Sequence, residues 1–408
     1  MRQMIEPREA LDIILEHTPG PWGFSSPDDA LSGLAVTREP VSADRDIPEA
    51  DVSRMDGYAV VAPVEAGAEL RRIGEIPAGS LPDRALAEGE CVRIYTGSVL
   101  PPEANAVVKQ EDVTTSPDGE VVRPSCRVEP GENVAARGSI AKQGAVLLPA
   151  GSPLGAAQQA VCAAVGARPE CCAVPLLGVL RTGEEVVPED GEPGPHQTRD
   201  ANSPAIMAAA MSAGAVLYLA REAPDDLTQL TDELRMMVED EDLDALVTIG
   251  AVSVGDYDLV PEALEAVGAK VLLHGIACKP GKPFLFAVAD NAKPIFGVPG
   301  NPVSALVTFF EFVAPALRKM AGRPEPWAPT LPVRLAAEVA GVPGATYYEL
   351  ARVTQDADGS WVAEPMPSRH SGDVAAAARA DGVVIVPPGD AGLPAGANAQ
   401  FRPWRQLW

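Results

Sequence analysis

The sequence predicts a multi-domain chain that combines an α/β domain with β-rich regions. The chain has 408 residues, more than one hydrophobic core usually organises, because domains typically contain about 100–200 residues. Short apolar runs separated by Gly and Pro occupy residues 56–150 and return after residue 329, which is typical of β-structure. Between them, over residues 174–322, strand-like and helix-like runs alternate, which favours a mostly parallel sheet covered by helices.

The first part of the chain is predicted to begin with a helix and to continue with strands. Residues 7–17 carry apolar side chains at helical spacing, and the sequence PGPWG then ends the helix. An alanine-rich helix is predicted between Gly155 and Gly166. The strands between these helices are expected in the sequences YAVVA, CVRIYTG, NAVVKQ, EVVRP and GAVLLPAG.

The central region is predicted to start with the strand PLLGVLRTG. Ser203 and Pro204 are expected to cap and open the helix that follows. A longer helix starts at Asn301 and is expected to bend or break near Pro315, because proline cannot donate a helical hydrogen bond. The remaining elements are helices at residues 226–239 and 259–268 and strands in AVLYLA, LDALVTIG, AKVLLHGIA and PFLFAVA.

The last region follows a proline-rich linker at residues 324–329 and returns to short apolar runs. Such runs predict a small β-barrel or sandwich. The expected strands are LPVRLAAEV, YYELARV, WVAEPM, GVVIVPP and AQFRPW.

Charge and composition exclude several classes of partner and site. Lys and Arg number 32 against 57 Asp and Glu, a net charge of −25 that repels nucleic-acid phosphates and anionic lipid. The six cysteines show no ligand spacing typical of zinc, and a disulfide framework is not expected in so long a chain. The beginning of the sequence lacks an uninterrupted apolar stretch, and no apolar run reaches 18 residues, so we expect a cytoplasmic protein.

Two segments of the β-rich region carry candidate residues, although ordinary turns would also explain them. Asp56 and Gly57 stand at the entry to a strand, where an Asp-Gly turn is common. Thr96 and Gly97 offer a hydroxyl and an accessible backbone between two strands, as any loop could. Neither segment alone predicts a function.

Three segments of the central region suit an anionic ligand. A strand runs into Gly250 and a glycine- and serine-rich segment that ends at Asp258, at the position where doubly wound sheets bind ligands. This segment lacks the GxGxxG and GxxxxGK[ST] patterns, and Asp258 could serve a metal or stabilise a helix terminus. The other two segments are KPGKP, with Lys279 and Lys282, and GVPGNPVS, which precedes a helix.

Nine segments together resemble the MoeA and gephyrin E-domain family. They occur in the order found in that family, and the resemblance covers nearly the whole chain. MDGYA, SVGDYD, KPGKP and PGNPVSA are specific when they occur in one sequence. The nine segments are SRMDGYAV, GEIPAG, YTGSVLPPEANAVV, GENVAARG, RTGEE, RDANSPAI, GAVSVGDYD, KPGKP and GVPGNPVSA.

The resemblance implies four domains and a homodimer whose active-site cleft is shared between subunits. The central α/β domain is expected to be similar to the MogA-type adenylyltransferase, which is also an expected partner together with molybdoenzyme apoproteins. The activity implied is the insertion of molybdate into adenylylated molybdopterin, with release of AMP and dependence on Mg²⁺ or another divalent cation. The implied domains are an elongated linker domain (1–45 with 140–173), a β-rich domain (46–139), the MogA-like domain (174–325) and a C-terminal β-barrel (326–408).

The resemblance also assigns roles to individual residues. Asp56 and Thr96 match residues that line the far wall of the cleft and are expected to come from the partner subunit. The catalytic residues implied are Asp56, Glu185 and Asp258, and the metal ligands are Glu185 and Asp258. The substrate-binding residues implied are Thr96, Ser253, Gly255, Lys279, Lys282, Pro299, Asn301, Pro302 and Ser371.

The chain departs from the family pattern at several positions. Ile140 follows Ser139 where the family has an acid, and Ala251 adds a methyl group where the family has a second glycine. Asn105 replaces a usual Asp, and Glu222-Ala223 stands where an acidic pair is expected. The lost acid near Ile140 leaves open a carrier of molybdopterin or finished cofactor without catalysis. A tungsten-specific relative is a further alternative, because the sequence does not distinguish molybdenum from tungsten. The four histidines, His17, His196, His274 and His370, are expected to be structural or surface residues.

Overall fold

The computed structural model describes residues 2–21, 23–25, 35–252, 259–327, 329–366, 368, 370–389, 391–405 and 407. Within these ranges no helix has the length and apolarity needed to cross a lipid bilayer. The α-helices of these ranges are α1 (Pro7–His17), α2 (Ala156–Ala164), α3 (Asn202–Ser212), α4 (Leu227–Glu239), α5 (Leu259–Ala266), α6 (Pro302–Thr308), α7 (Ala314–Met320) and α8 (Val374–Arg379).

The chain forms two compact units. The larger unit comprises Met1–Glu39, Gly151–Ala156 and Glu170–Trp408, and the smaller unit comprises Pro40–Ala150 and Ala157–Pro169. The four-domain division expected from the family resemblance stays a prediction.

The smaller unit contains a six-stranded sheet with the order β4-β1-β3-β2-β6-β5. All pairs in this sheet are antiparallel except β2 with β3. β2 and β5 were not predicted because polar residues such as Arg71, Arg72 and Glu75 interrupt the apolar pattern of β2, and β5 has only three residues. The strands are β1 (Gly57–Val60), β2 (Leu70–Ile76), β3 (Glu90–Ile94), β4 (Ala106–Lys109), β5 (Val113–Thr115) and β6 (Val121–Pro124).

Gly57 is required by the packing of this sheet. It pairs with Ile94 on one side and with Lys109 on the other, so its backbone lies between two strands. A Cβ atom at this position would lie 1.9 Å from the carbonyl oxygen of Val108. The glycine of the MDGYA motif therefore has a structural reason that needs no ligand.

The α/β region of the larger unit contains a second six-stranded sheet, with the order β8-β7-β9-β12-β11-β10. The first four strands are parallel, and β11 and β10 complete the sheet in antiparallel pairs. The predicted mostly parallel sheet is therefore confirmed. Its strands are β7 (Leu176–Thr182), β8 (Val216–Ala223), β9 (Ala245–Ile249), β10 (Lys270–His274), β11 (Leu285–Val288) and β12 (Pro294–Val298).

Helices cover both faces of this sheet. On one face, α1, α3, α6 and α7 pack over a core that includes Phe286, Phe296 and Val298. On the other face, α4 and α5 bury Leu246 and Ile295. Because β7, β8, β9 and β12 run in parallel, their carboxyl ends meet at one edge of the sheet, where such folds bind ligands.

One helix boundary and one strand differ from the sequence prediction. The helix α3 begins at Asn202, and Asp200 rather than Ser203 satisfies its first amides, because Asp200 Oδ1 accepts the N–H groups of Asn202 and Ser203 at 3.0 Å each. The long helix is interrupted by a π turn at Phe309–Val313, directly before Pro315, in agreement with the predicted bend or break near that proline. The strand β12 was missed because its apolar run is short and lies between a proline and a Gly-Pro-rich loop.

The C-terminal region is a closed five-stranded barrel. The strand order is β14-β15-β13-β17-β16, and the pairing of β14 with β16 closes the ring. All five predicted strands are present. They are β13 (Leu331–Leu335), β14 (Thr346–Gln355), β15 (Trp361–Pro365), β16 (Gly382–Val386) and β17 (Asn398–Pro403).

The barrel is joined to the α/β region by two sets of contacts. Cys278 and Lys279 pair in parallel with Thr346 and Tyr347 of β14. In addition, Glu311 of the π turn is buried and accepts hydrogen bonds from Arg402 of β17 at 2.8 and 3.4 Å. These contacts hold the KPGKP segment between the barrel and the sheet.

Gly57→Ala should destabilise the smaller unit, because the added methyl group would overlap the Val108 carbonyl. We expect the free energy of unfolding to fall by about 1–3 kcal/mol, the usual cost of overpacking. Thermal denaturation of the full chain measures the effect. Gly20→Ala is the control, since a Cβ there meets nothing within 4 Å. Equal melting temperatures for both variants would contradict the packing argument.

Candidate active site

Two cavities adjoin at the carboxyl edge of the parallel sheet in the larger unit. The larger cavity has a volume of about 600 Å³ and is lined by the loops after β7, β8 and β9. The smaller cavity has a volume of about 490 Å³ and is lined by the KPGKP segment, the segment after β12 and loops of the barrel. Asn301 lines both cavities, so this residue lies at their junction.

The smaller cavity brings together residues that are far apart in the sequence. Lys279 and Lys282 are both exposed and line it together with Pro299, Asn301 and Ser371. The two segments KPGKP and PGNPVS thus share one cavity, as the sequence analysis requires. The binding roles of these residues stay predictions.

Lys279 lies beside half-buried Tyr347 and buried Glu349 on the barrel strand β14. Its Nζ atom is 5.8 Å from the ring centroid of Tyr347, a cation–π contact. The Tyr347 hydroxyl donates a hydrogen bond to the carboxylate of Glu349. Burial raises the pKa of Glu349, and the Tyr347 hydroxyl and the Lys279 charge oppose that rise. The Lys279 ammonium group therefore lies near the aromatic ring of Tyr347 and the carboxylate of Glu349.

The first backbone amide of α6 that can donate is hydrogen-bonded within the protein. Pro302 has no N–H group, and the Val303 N–H donates to the Ser371 carbonyl at 3.0 Å. This hydrogen bond fixes Ser371, which follows β15 in the chain, against the helix. The sequence analysis identified this helix terminus as suited to an anion. At Val303, however, the amide is hydrogen-bonded to the protein itself.

The larger cavity is lined by carboxylates and by two arginines, Arg181 and Arg199, that already have protein partners. Arg199 donates from Nε to the Gly191 carbonyl at 2.8 Å. Glu185, Asp200 and Asp225 contribute carboxylates to its lining. Arg181 donates from Nη1 to the Val186 carbonyl at 2.8 Å and forms an ion pair with Glu222. Glu222 is therefore held on the sheet by its neighbouring strand, and it is absent from the residues that line the cavity.

Asp225 and Asn202 are cavity residues that the sequence analysis missed. Asp225 lies two residues after β8 ends, so the position of the strand end could have indicated it. Asn202 donates from Nδ2 to the Gly300 carbonyl at 2.7 Å and so ties α3 to the segment that contains Asn301. No sequence pattern predicts this second contact, because it depends on the tertiary arrangement.

Part of the predicted site lies outside the described residues. Ser253, Gly255 and Asp258 fall in the range 253–258, which is not described. Among the described residues, no group of three or more His, Cys, Asp or Glu side chains is placed to hold a metal ion. The metal-ligand roles of Glu185 and Asp258 stay predictions.

In the smaller unit, Asp56 and Thr96 are in direct contact. The backbone N–H and the Oγ1 hydroxyl of Thr96 both donate to Asp56 Oδ1 at 2.9 Å. These hydrogen bonds lower the pKa of the Asp56 carboxyl, and nearby Arg93 adds to the effect. The two exposed loops that the sequence singled out are therefore joined to each other.

Two histidines differ in their placement. His274 is buried, and its Nε2 atom lies 3.0 Å from the Val252 carbonyl oxygen, in line with the expected structural role. His370 lines the smaller cavity together with the two lysines. His370 is exposed, in line with the expected surface placement, and its position on the cavity wall was not predicted.

Three family profiles match successive parts of the chain. The MoeA N-terminal region (domain I and II) matches residues 5–166, a probable molybdopterin binding domain matches residues 178–319, and the MoeA C-terminal region (domain IV) matches residues 332–404. The chain belongs to the MoeA family.

Curated relatives and solved structures agree with this assignment to the MoeA family. A molybdopterin molybdenumtransferase from Nostoc sp. is 35% identical over 307 residues, which are 72% of this chain and 69% of that protein. The same enzyme from Staphylococcus aureus strain Mu50 is 32% identical over 373 residues, 88% of this chain and 86% of that protein.

Two MoeA proteins from Pyrococcus horikoshii have similar structures. One has a TM-score of 0.81 at 29% identity, covering 99% of this chain and 100% of that one. The other has a TM-score of 0.82 at 24% identity, covering 98% of this chain and 99% of that one, and it supports the fold alone.

The departures from the MoeA pattern have different structural settings. Asn105 accepts a hydrogen bond from Ala62 N at 2.7 Å and donates one to Ala62 O at 3.1 Å, which an ionised Asp could not do. Ile140 is 76% exposed, so its apolar side chain lies in solvent where the family has an acid. Ala251 lines the larger cavity in a left-handed backbone conformation with φ of 50°.

Ala251→Gly should stabilise the chain, because φ at this position is 50°. Left-handed backbone costs an L-residue about 1–2 kcal/mol. Glycine adopts it freely but adds entropy to the unfolded chain, so we expect a net gain of about 0.5–1 kcal/mol. Chemical denaturation measures it. Ala220→Gly, at an exposed position in the strand β8, is the control and should destabilise. A loss of stability at both positions would exclude strain at Ala251.

Asp56→Asn should change how stability depends on pH. The folded-state pKa of Asp56 is lowered, so its contribution is present above the unfolded pKa of about 3.9 and is lost as pH falls through the folded value. Wild type should therefore be more stable than the variant near pH 7, and the difference should shrink below about pH 4. Denaturation curves recorded at about ten pH values between about pH 2.5 and pH 7 measure this trend.

Asp83→Asn provides a matched control for the pH experiment. Asp83 is exposed, and within the described ranges its carboxylate accepts no hydrogen bond, so this variant should follow wild type. A stability difference for Asp56→Asn that stays constant down to the lowest pH would contradict the role of the carboxylate charge.

Proposed function

We propose that this chain, a transferase of the MoeA family, inserts molybdate into adenylylated molybdopterin and releases AMP. The observation that carries the proposal is the pair of adjoining cavities with Asn301 at their junction. One cavity offers two exposed lysines for an oxyanion. The other offers the space and the polar lining that an adenylylated pterin needs.

The charge distribution supports an oxyanion in the smaller cavity. The chain carries a net charge of −25, so a dianion needs local cations to approach and stay bound. Lys279 and Lys282 are such cations, because both residues are exposed and line the cavity. Molybdate bound there would lie next to a pterin dithiolene that enters from the larger cavity.

The reaction needs charge stabilisation more than covalent chemistry from the protein. Water attacks the phosphoanhydride bond, and the products are AMP, a stable anion, and the pterin phosphate. The two dithiolene thiols form bonds to molybdenum, and one molybdate oxygen leaves as water with the two thiol protons. Negative charge on the phosphate oxygens must be offset while the bond breaks. Placed cations and donors of the cavity walls supply that stabilisation.

A divalent cation fits the donor chemistry of the larger cavity. Mg²⁺ commonly takes one or two carboxylates together with substrate phosphates, and Glu185 and Asp225 both line this cavity. Within the described part of the chain, no side chain or amide donates a hydrogen bond to the Glu185 carboxylate. Bound there with Asp258, the ion would neutralise phosphate charge.

The proposal includes a homodimer. Asp56 and Thr96 of one subunit would face the cavities of the other, and the MogA-type adenylyltransferase and molybdoenzyme apoproteins would deliver substrate and receive product. The cytoplasm is the proposed location.

A carrier function is the second candidate. It is favoured by the exposed apolar Ile140 at a position where the family has an acid. A carrier would bind molybdopterin or the finished cofactor without releasing AMP.

Incubation of the protein with adenylylated molybdopterin, Mg²⁺ and molybdate tests the proposal, with AMP release and cofactor formation as readouts. Lys279→Ala and Lys282→Ala should each weaken molybdate use by about 10- to 100-fold, since a hydrogen bond to a charged group contributes about 1.5–3 kcal/mol. Tungstate in place of molybdate determines the metal preference.

Lys270→Ala is the control, because Lys270 is exposed at the start of β10 and lines neither cavity. It should retain wild-type activity. Tight binding of the pterin without any AMP would favour the carrier. Full activity in both lysine variants would refute the proposed molybdate site.

A further inference from the structure

His370 lies in the segment 370–373, directly before α8, which backbone hydrogen bonds hold in place. His370 and Ser371 line the smaller cavity together with Lys279 and Lys282. The backbone of this segment is anchored to α6 through the bond from Val303 N to Ser371 O at 3.0 Å. Asp373 N also donates to the His370 carbonyl at 3.0 Å.

The imidazole ring of His370 has a defined hydrogen-bond arrangement. The Gly372 N–H donates to Nδ1 of the ring at 3.1 Å. A backbone N–H can only donate, so Nδ1 must be the acceptor, and the neutral ring carries its proton on Nε2. Among the described residues, Nε2 has no hydrogen-bond partner of its own.

The ring is also held sterically against Gly372. A Cβ atom on Gly372 would lie 3.0 Å from Nδ1 and 3.2 Å from Cε1 of His370. The absence of that atom lets the ring lie close to the backbone and keep the bond to Nδ1. The orientation of the donor at Nε2 therefore depends on Gly372.

A tetrahedral oxyanion can accept more hydrogen bonds than two lysines supply. Its four oxygens need partners when they leave water, and neutral donors satisfy them without adding charge to the wall. His370 offers such a donor from the barrel side of the cavity, whereas Lys279 and Lys282 come from the α/β side.

We propose that His370 binds the oxyanion of the smaller cavity by donating a hydrogen bond from Nε2. The proposal rests on the function proposed for this cavity and adds a third side chain to the oxyanion site. With Nδ1 engaged by Gly372 and Nε2 protonated, His370 acts as a donor and not as a general base.

Direct binding of molybdate alone to the intact chain, measured by equilibrium dialysis at pH 8, tests the proposal. His370→Ala should bind about 10- to 100-fold more weakly, as expected for the loss of one hydrogen bond to a charged group. His370→Gln keeps an N–H donor and should recover most of the affinity. His196→Ala is the control, since His196 lines neither cavity, and should bind as wild type does.

The lysine variants separate failure of this proposal from failure of the proposed function. If Lys279→Ala and Lys282→Ala weaken molybdate binding while His370→Ala matches wild type, His370 is not a ligand but the cavity remains the oxyanion site. If both lysine variants bind as wild type does, the anion binds elsewhere and both proposals fall.

Nuclear magnetic resonance of the imidazole nitrogens provides a readout independent of affinity. At pH 8, His370 should show an unprotonated Nδ1 and a protonated Nε2, and added molybdate should shift the Nε2 signal but not that of His196. Gly372→Ala should abolish the assigned tautomer preference by displacing the ring. A protonated Nδ1 in the wild type, or an Nε2 signal that ignores molybdate, would overturn the proposal.

Discussion

The parallel direction of β7, β8, β9 and β12 is the constraint on which the rest of the larger unit depends. Parallel strands must end at the same edge, so the loops that follow them open onto one place. Glu185, Asp225 and Asn301 all come from such loops, although more than 110 residues separate the first from the last. The barrel then closes over this edge, because Cys278–Lys279 pairs with β14 and Ser371 accepts the Val303 amide.

Much of the fold could be predicted because local patterns and tertiary packing agree. The five barrel strands and α1 occur where apolar periodicity placed them. The two strands β2 and β12 were not predicted for local reasons. Charged residues interrupt the apolar pattern of β2, and β12 is a short apolar run between prolines. The cap of α3 was assigned to Ser203 because Ser is a common cap, whereas Asp200 reaches both free amides.

The candidate site was predictable where one segment carries its own chemistry. KPGKP and PGNPVS combine charge with restrained backbone, and they meet in one cavity. Asp225 and Asn202 were missed because they reach the cavity only when distant loops meet. The ion pair of Glu222 with Arg181 on the neighbouring strand likewise depends on the tertiary arrangement.

Asn301 belongs to the walls of both cavities, and the Asn202 bond to Gly300 restrains the backbone beside it. A ligand in one cavity that orders Asn301 reduces the conformational entropy that Asn301 loses when a second ligand binds in the other cavity. Thermodynamic linkage requires such coupling to be equal in both directions. Two substrates that both contact Asn301 would therefore bind cooperatively. The complex that holds both would be more populated than their separate affinities predict.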